Sequence, residues 1–346
     1  MKQIILTLTN KFMLNPEFSG SKGANLAQLI RAGFNVPPFF ILSSSLYEHI
    51  IKIKGIDQIV KEAASEKSLE NYRQIQSAIL EAEIPDSIIN QINCAFKNLI
   101  QNSTQKKVAI RSSALAEDLR EHSFAGQLES YLNIQDEKQL LESIKKCWAS
   151  LWNERVHNYI STIQATFRPQ PMAVIVQQMV PSEYSGICFT IDPTDAEHEW
   201  MMIEADEGIG AKIVSGQINP FRYRIHRTSL EIKSDSAESA FMLFSGTKIS
   251  ELARACLKIE KHFGAPQDIE WAHFQNRFYI LQSRPITTAA KNQSFAGTKI
   301  WSNHFFGERF PQPVSPLGWS ILKPLIEKNA FRESLSFLGF HALAQS

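Results

Sequence analysis

The stretch that most constrains this chain is Gln267-Asp-Ile-Glu-Trp-Ala-His-Phe-Gln-Asn-Arg-Phe-Tyr-Ile-Leu-Gln-Ser-Arg-Pro285. Two apolar, β-prone runs flank the polar triplet Gln275-Asn276-Arg277, the pattern of a β-hairpin. Side chains alternate between the faces of a strand. With a three-residue loop, Glu270 lies opposite Gln282 and Asp268 opposite Arg284. Ile269, Trp271, Tyr279 and Leu281 then share the other face, which should be the core. A two-residue loop would slip the register by one and turn the second strand over. The polar face gathers two carboxylates, an amide and a guanidinium. Carboxylate and amide oxygens are hard ligands suited to Mg²⁺, which keeps waters and substrate phosphates as its other ligands. A neighbouring Arg suits a phosphate. The same residues also fit a surface hairpin carrying a cross-strand ion pair.

The chain has 346 residues, 44% of them hydrophobic, enough for two or three domains with a sizeable core. Its formal charge is +1, so no broad basic field invites nucleic acid or an anionic membrane. Four cysteines (Cys94, Cys147, Cys188, Cys256) have no CxxC spacing and sit among apolar neighbours, which reads as burial rather than metal ligation. The N-terminus lacks the pattern of a signal peptide, and no apolar run approaches the ~20 residues of a membrane span. A cytoplasmic setting fits best.

Read in order, residues 3–9 suggest a strand. Ser19-Gly-Ser-Lys22-Gly-Ala-Asn25 then opens a helical pattern. A Gly-flanked Lys at the mouth of a helix suits a phosphate, although an ordinary glycine-rich turn has the same composition, and GxxxxGK[ST] is absent. Helices are expected at about 45–53, 68–82 and 86–101. The short strand 108–110 ends at Arg111-Ser112-Ser113, a good anion site unless Arg111 pairs with Glu117 or Asp118. Ser123–Gly126 precedes a strand at 128–134 and has the makings of a phosphate-covering loop. A long helix is expected over 137–166, its aromatic stripe facing the core. Residues 173–180 form a strongly apolar strand ending in Gln177-Gln178-Met179-Val180, suited to offering backbone groups to a nucleobase. Strands at 185–190 and 201–205 and a helix at 241–263 lead to the hairpin. Residues 287–298 are small and polar, a linker.

Several of these stretches together resemble one family. They are Gly20-Ser-Lys-Gly-Ala-Asn-Leu26, Val108-Ala-Ile-Arg-Ser-Ser-Ala114, Ala116-Glu-Asp118, Ser123-Phe-Ala-Gly-Gln127, Cys147-Trp-Ala-Ser-Leu151, Val176-Gln-Gln-Met-Val180, Ser185-Gly-Ile-Cys-Phe-Thr190, Asp192-Pro193, Gln267-Asp-Ile-Glu-Trp271 and Ile280-Leu-Gln-Ser-Arg-Pro285. Each is weak alone; their joint order is specific. From about residue 12 to 288 the chain resembles the N-terminal ATP-binding domain of phosphoenolpyruvate synthases, pyruvate phosphate dikinases and rifampicin phosphotransferases. The resemblance implies an α+β, two-lobed ATP-grasp fold with the nucleotide cleft between the lobes. The N-terminal lobe would span 1–172 and the C-terminal lobe 173–288, with the metal-binding hairpin at 267–285. A linker at 289–300 would lead to 301–346, the start of a following domain, which suggests a fragment or one half of a split protein.

Carried over residue by residue, the resemblance implies that Lys22, Arg111 and Arg284 contact phosphates and act in catalysis. Gly126 and Ser130 would belong to the phosphate loop, and Gln177, Gln178, Met179 and Val180 would hold adenine. Asp268, Glu270, Gln282 and Arg284 would complete the site, with Glu270 and Gln282 on Mg²⁺ and Asp268 paired to Arg284. ATP would be cleaved to AMP and phosphate while a His on a separate swivelling domain is phosphorylated, and a small molecule would be the final acceptor. None of the nine His residues of this chain matches such a phospho-acceptor motif. Other departures are Ala211-Lys212 where the family usually has Glu, Phe221 where Asp is frequent, and Ser130 where Thr is common. They leave open a catalytically reduced nucleotide-binding or docking module within a biosynthetic or drug-phosphorylating assembly.

Overall fold

A computed structural model describes residues 4–65, 68–115, 129–162, 170–192, 197–209, 220–234 and 246–286. Gly126 and its loop, Glu117, Asp118, Ala211, Lys212 and everything from 287 onward lie outside them. The chain divides into two compact units, Met1–Asn292 and Gln293–Ser346, and the division falls inside the stretch read as a linker. All the described elements belong to the first unit.

Its strands are β1 (Ile5–Leu6), β2 (Phe39–Leu42), β3 (Val108–Ser113), β4 (Ser130–Ile134), β5 (Ala173–Gln178), β6 (Tyr184–Phe189), β7 (Trp200–Glu207), β8 (Phe221–His226), β9 (Ile232–Ser234), β10 (Gln267–Phe274) and β11 (Arg277–Pro285). The helices are α1 (Pro16–Arg31), α2 (Ser44–Ile53), α3 (Ile56–Ser65), α4 (Leu69–Glu81), α5 (Asp86–Ile100), α6 (Glu137–Ser150), α7 (Glu154–Thr162) and a last one, α8 (Gly246–Phe263). The fold is α+β. One sheet runs β1-β2-β5-β3-β4 and the other β11-β10-β6-β7-β8-β9, with antiparallel pairing throughout.

The expected lobe boundary at 172/173 is corrected by β5. This strand lies at the centre of the first sheet, between β2 and β3, so residues 173–178 go with the sheet of the preceding strands. A run of four apolar residues from Ala173 to Val176, all fully buried, can only be a central strand covered on both faces. The long helix expected over 137–166 is instead α6 and α7. The Asn153 side chain accepts the Val156 N–H at 2.8 Å and caps the second helix, ending the first. Cys94 is exposed on α5, whereas Cys147, Cys188 and Cys256 are buried as expected.

Two apolar clusters hold the unit. On one face of the first sheet Leu42, Val108, Ile110, Val174 and Val176 pack with residues of α2 to α7, including Trp148, and with Trp152 between α6 and α7. On its other face Phe39, Ile41 and Ile175 join Leu26 and Leu29 of α1, then Ile203, Ile269 and Trp271 of the second sheet and Leu252 and Cys256 of α8. The second cluster therefore spans both sheets.

The hairpin differs from expectation at its tip. Phe274 pairs with Arg277, so the loop is the two residues Gln275-Asn276, with φ of 47° and 62°. Two successive positive φ values are the mark of a type I′ turn. The slip this should cause is undone further along. Trp271 pairs with Ile280 and Glu270 with Gln282, leaving Leu281 as the extra residue of a β-bulge. The pairs Glu270–Gln282 and Asp268–Arg284 thus stand as expected. The core residues do not: Ile280 is buried opposite Trp271, while Tyr279 and Leu281 are half-buried. A side chain at positive φ is strained, and Asn-Gly is the favoured I′ pair. Asn276→Gly should therefore raise stability by about 0.5–1 kcal/mol, read as a higher urea midpoint.

Candidate functional site

The pairing registers decide which residues meet. Across the first sheet Arg111 of β3 lies opposite Ser130 of β4 and Ile175 of β5. Gln177, two residues on from Ile175, shares that face. Across the second sheet one row runs Gln282, Glu270, Ile187, Glu204, Arg222 and the next runs Arg284, Asp268, Phe189, Met202, Arg224.

The first sheet's face reaches the first of these rows. Arg111 Nη1 donates to Glu270 Oε2 at 2.8 Å and to Gln282 Oε1 at 3.3 Å. The ion pair is largely enclosed, with side chains 12% and 19% exposed. Burial pushes the Glu270 carboxyl up, but the charge and hydrogen bond of Arg111, helped by Lys22 and Arg284, outweigh this and hold it below the usual glutamate range. Asp268 goes the other way. Burial pushes it up, and Arg284, which donates to Oδ2 from Nε at 2.8 Å and approaches it with Nη2 at 2.7 Å, does not offset that. The negative charges of Glu270 and Glu204 add to the rise. Asp268 therefore holds Arg284 in an acidic corner, whereas Glu270 sits among cations. Among the described residues the carboxylate partner of Arg111 is Glu270, 159 positions away in the sequence.

Lys22 lies where α1 breaks. Gly20 has φ 69° and ψ 166°, so a second helical run starts just after it, with Lys22 in its first turn. The residue is only 7% exposed, and its charge is felt by Glu270. Gly20 is required by more than its φ, because a Cβ there would lie 2.0 Å from the Ser113 carbonyl oxygen. Asn25 Nδ2 donates to the Ser283 carbonyl at 3.1 Å and ties the helix to β11.

The remaining expected residues divide. Gln177 is 1% exposed, and its Nε2 is buried without a hydrogen-bond partner. Gln178 points to the opposite face, where its amide donates to the Leu99 carbonyl; its backbone N–H is taken by Pro38 at 2.9 Å. Alternation along β5 thus separates the Gln178 side chain from that of Gln177. The Met179 N–H is bonded to the Lys107 carbonyl at 3.0 Å, and Val180 is buried. Ser130 is exposed at the start of β4.

Sequence reasoning missed Glu204. It is bound by Arg222 Nε at 3.0 Å and Nη2 at 2.6 Å, and it lies two strands from Glu270 in the same row. The alternation of Met202, Glu204 and Asp206 against Met201, Ile203 and Ala205 was the available signal. Among the described residues, no three or more His, Cys, Asp or Glu side chains are grouped so as to hold a metal ion by themselves.

Comparison with known proteins gives this geometry a context. Residues 17–302 match the pyruvate phosphate dikinase AMP/ATP-binding domain. The chain is 33% identical over 318 residues to a probable phosphoenolpyruvate synthase of Methanocaldococcus jannaschii, covering 83% of this chain and 26% of that protein. A probable phosphoenolpyruvate synthase of Archaeoglobus fulgidus is 36% identical over 315 residues, covering 81% and 41%. An uncharacterized phosphotransferase of Bacillus subtilis is 29% identical over 343 residues, covering 90% and 40%. The chain thus spans less than half the length of these curated relatives. With the match running through α1, β3, β5 and both strands of the hairpin, the chain belongs to the pyruvate phosphate dikinase AMP/ATP-binding domain family.

Proposed function

We propose that the chain is the Mg·ATP-binding module of a dikinase-type phosphotransferase, with the nucleotide between the two sheets. The observation that carries this reading is the convergence of Lys22, Arg111, Glu270 and Gln282. One guanidinium nitrogen touches both a carboxylate oxygen and an amide oxygen. Those two oxygens are hard donors that reach one cationic point together, so the residues fit Mg²⁺ with Glu270 and Gln282 as its protein ligands. The ion would neutralise charge on the phosphates. Phosphoryl transfer needs positioning and charge neutralisation more than covalent chemistry from the protein. Lys22 and Arg111 bind and orient the phosphates, Arg284 adds a third cation, and Asp268 keeps it in place. Gln177, with a buried and unpaired Nε2, offers a donor to the base.

One phosphoryl group of ATP passes to a His on a separate domain and water takes the other as phosphate, leaving AMP; the His then passes its phosphoryl group to a small-molecule acceptor. Calorimetric titration of the chain with ATP and Mg²⁺ should show one site, and AMP and phosphate should form only when a His-bearing domain from a relative is added. Absence of binding sinks the reading. Binding without AMP formation in the presence of that domain favours the second reading, a docking module with reduced catalysis. Ala211-Lys212, in place of the family's Glu, is the feature behind it.

A further inference from the structure

The break in α1 is made by a side chain from another element. In an uninterrupted α-helix the Gly23 N–H would donate to the Ser19 carbonyl, four residues back. Here the hydroxyl of Ser113 stands between them. Ser113 Oγ accepts the Gly23 N–H at 3.0 Å and donates to the Ser19 carbonyl at 2.8 Å. A polar side chain inserted into the helical ladder is a recognised cause of a sharp kink. Ser113 is wholly buried at the end of β3, two residues beyond Arg111. The same strand end makes further ties to the helix. The Ser21 N–H donates to the Ala114 carbonyl at 3.3 Å, and Ser21 Oγ donates to the Leu115 carbonyl at 3.0 Å.

The end of β3 therefore fixes two cations at once. Arg111 is carried on the strand itself. Lys22 is carried on a helical run that starts where Ser113 and its neighbours open the ladder. We propose that Ser113 is a positioning residue for phosphate binding, acting through Lys22. This rests on the reading of the cleft as a Mg·ATP site. Without the hydroxyl, Ser19 and Gly23 either close their own hydrogen bond and straighten the helix, or remain unpaired in a buried place. Either outcome loosens the hold of the β3 end on the helical run that carries Lys22 and so its placement relative to Arg111.

The test is a double-mutant cycle on the full chain, with Mg·ATP affinity read by calorimetry to millimolar nucleotide. Ser113→Ala should weaken binding about tenfold. The same change in a Lys22→Ala background should alter affinity less than about twofold, because the group it positions is gone. A purely structural role would give equal losses in both backgrounds, and that result, or wild-type binding by Ser113→Ala, overturns the proposal while leaving the site intact. Should Ser113→Ala fail to fold, Ser21→Ala cuts the neighbouring tie, and the cycle is read with it on the same criterion. Wild-type chain that binds no Mg·ATP overturns both this proposal and the reading of the cleft.

Discussion

Glu270→Gln is expected to make nucleotide binding nearly indifferent to Mg²⁺. Without nucleotide, Arg111 is held by Glu270 and Gln282, and a phosphate must compete with that carboxylate for the guanidinium. When Glu270 and Gln282 ligate Mg²⁺, Arg111 is released to phosphate, so in the native chain the ion should strengthen ATP binding by at least about tenfold. Gln at 270 keeps the shape of the side chain and removes its charge. Arg111 is then open to an anion from the start, and the ion has lost its one anionic ligand from the protein. The Mg²⁺ effect should shrink to less than about twofold, with metal-free ATP binding as tight as in the native chain or tighter. Calorimetry with and without Mg²⁺ in both proteins decides it; an unchanged Mg²⁺ effect would remove Glu270 from the ligand set. The substitution also leaves Arg111 short of a counter-charge. Breaking a fully buried pair costs about 3–5 kcal/mol, and the residual exposure of this one brings the expected loss to about 1–3 kcal/mol.

Trp271→Ala should be among the most destabilising single changes in the chain, at about 3–5 kcal/mol of unfolding free energy. The indole is fully buried, and its ring centre lies 5.7 Å from that of Phe278 in an edge-on contact. Opposite it on β6 stands Gly186, where a Cβ would come within 2.8 Å of Trp271 Cζ2. The same Cβ would lie 1.8 Å from the Glu204 carbonyl oxygen, so the backbone of β7 and the ring both close on this glycine, and removing the ring leaves a cavity in the core. Because Glu270 is the next residue on the same strand, the cavity would also loosen the polar face that holds Glu270 and Gln282. Leu281→Ala should cost less than half as much, since Leu281 is the half-buried extra residue of the bulge. Urea unfolding of the two variants tests the bulged register: equal losses would restore the three-residue loop, which puts Leu281 in the core.

The hairpin also shows how far the sequence could be read. Its polar pairs were legible because alternation survives any device that preserves register at Glu270. The device itself was not, since Gln275-Asn276 is an unusual pair for a two-residue loop, and a bulge has no local signature here. Lys22 at a helix start was legible from Gly20 and Gly23. The hydroxyl that opens the helix was not, because Ser113 is 94 residues from Ser19. The same distance effect hid the Arg111–Glu270 pair, so Arg111 was offered partners from its own neighbourhood. β5 was read correctly as a buried strand, yet apolar composition does not say which sheet a strand joins.

The apolar cluster that runs from Ile41 and Ile175 through α1 to Ile269 and Trp271 has a bearing on how such a protein can be inherited. Neither sheet owns that interior. A gene cut between β5 and β6 would hand each product half of a common wall, with Leu26 and Leu29 facing water in one piece and Ile203 and Trp271 in the other. Recombination can therefore move the two sheets together, as one cassette, far more readily than it can exchange either alone.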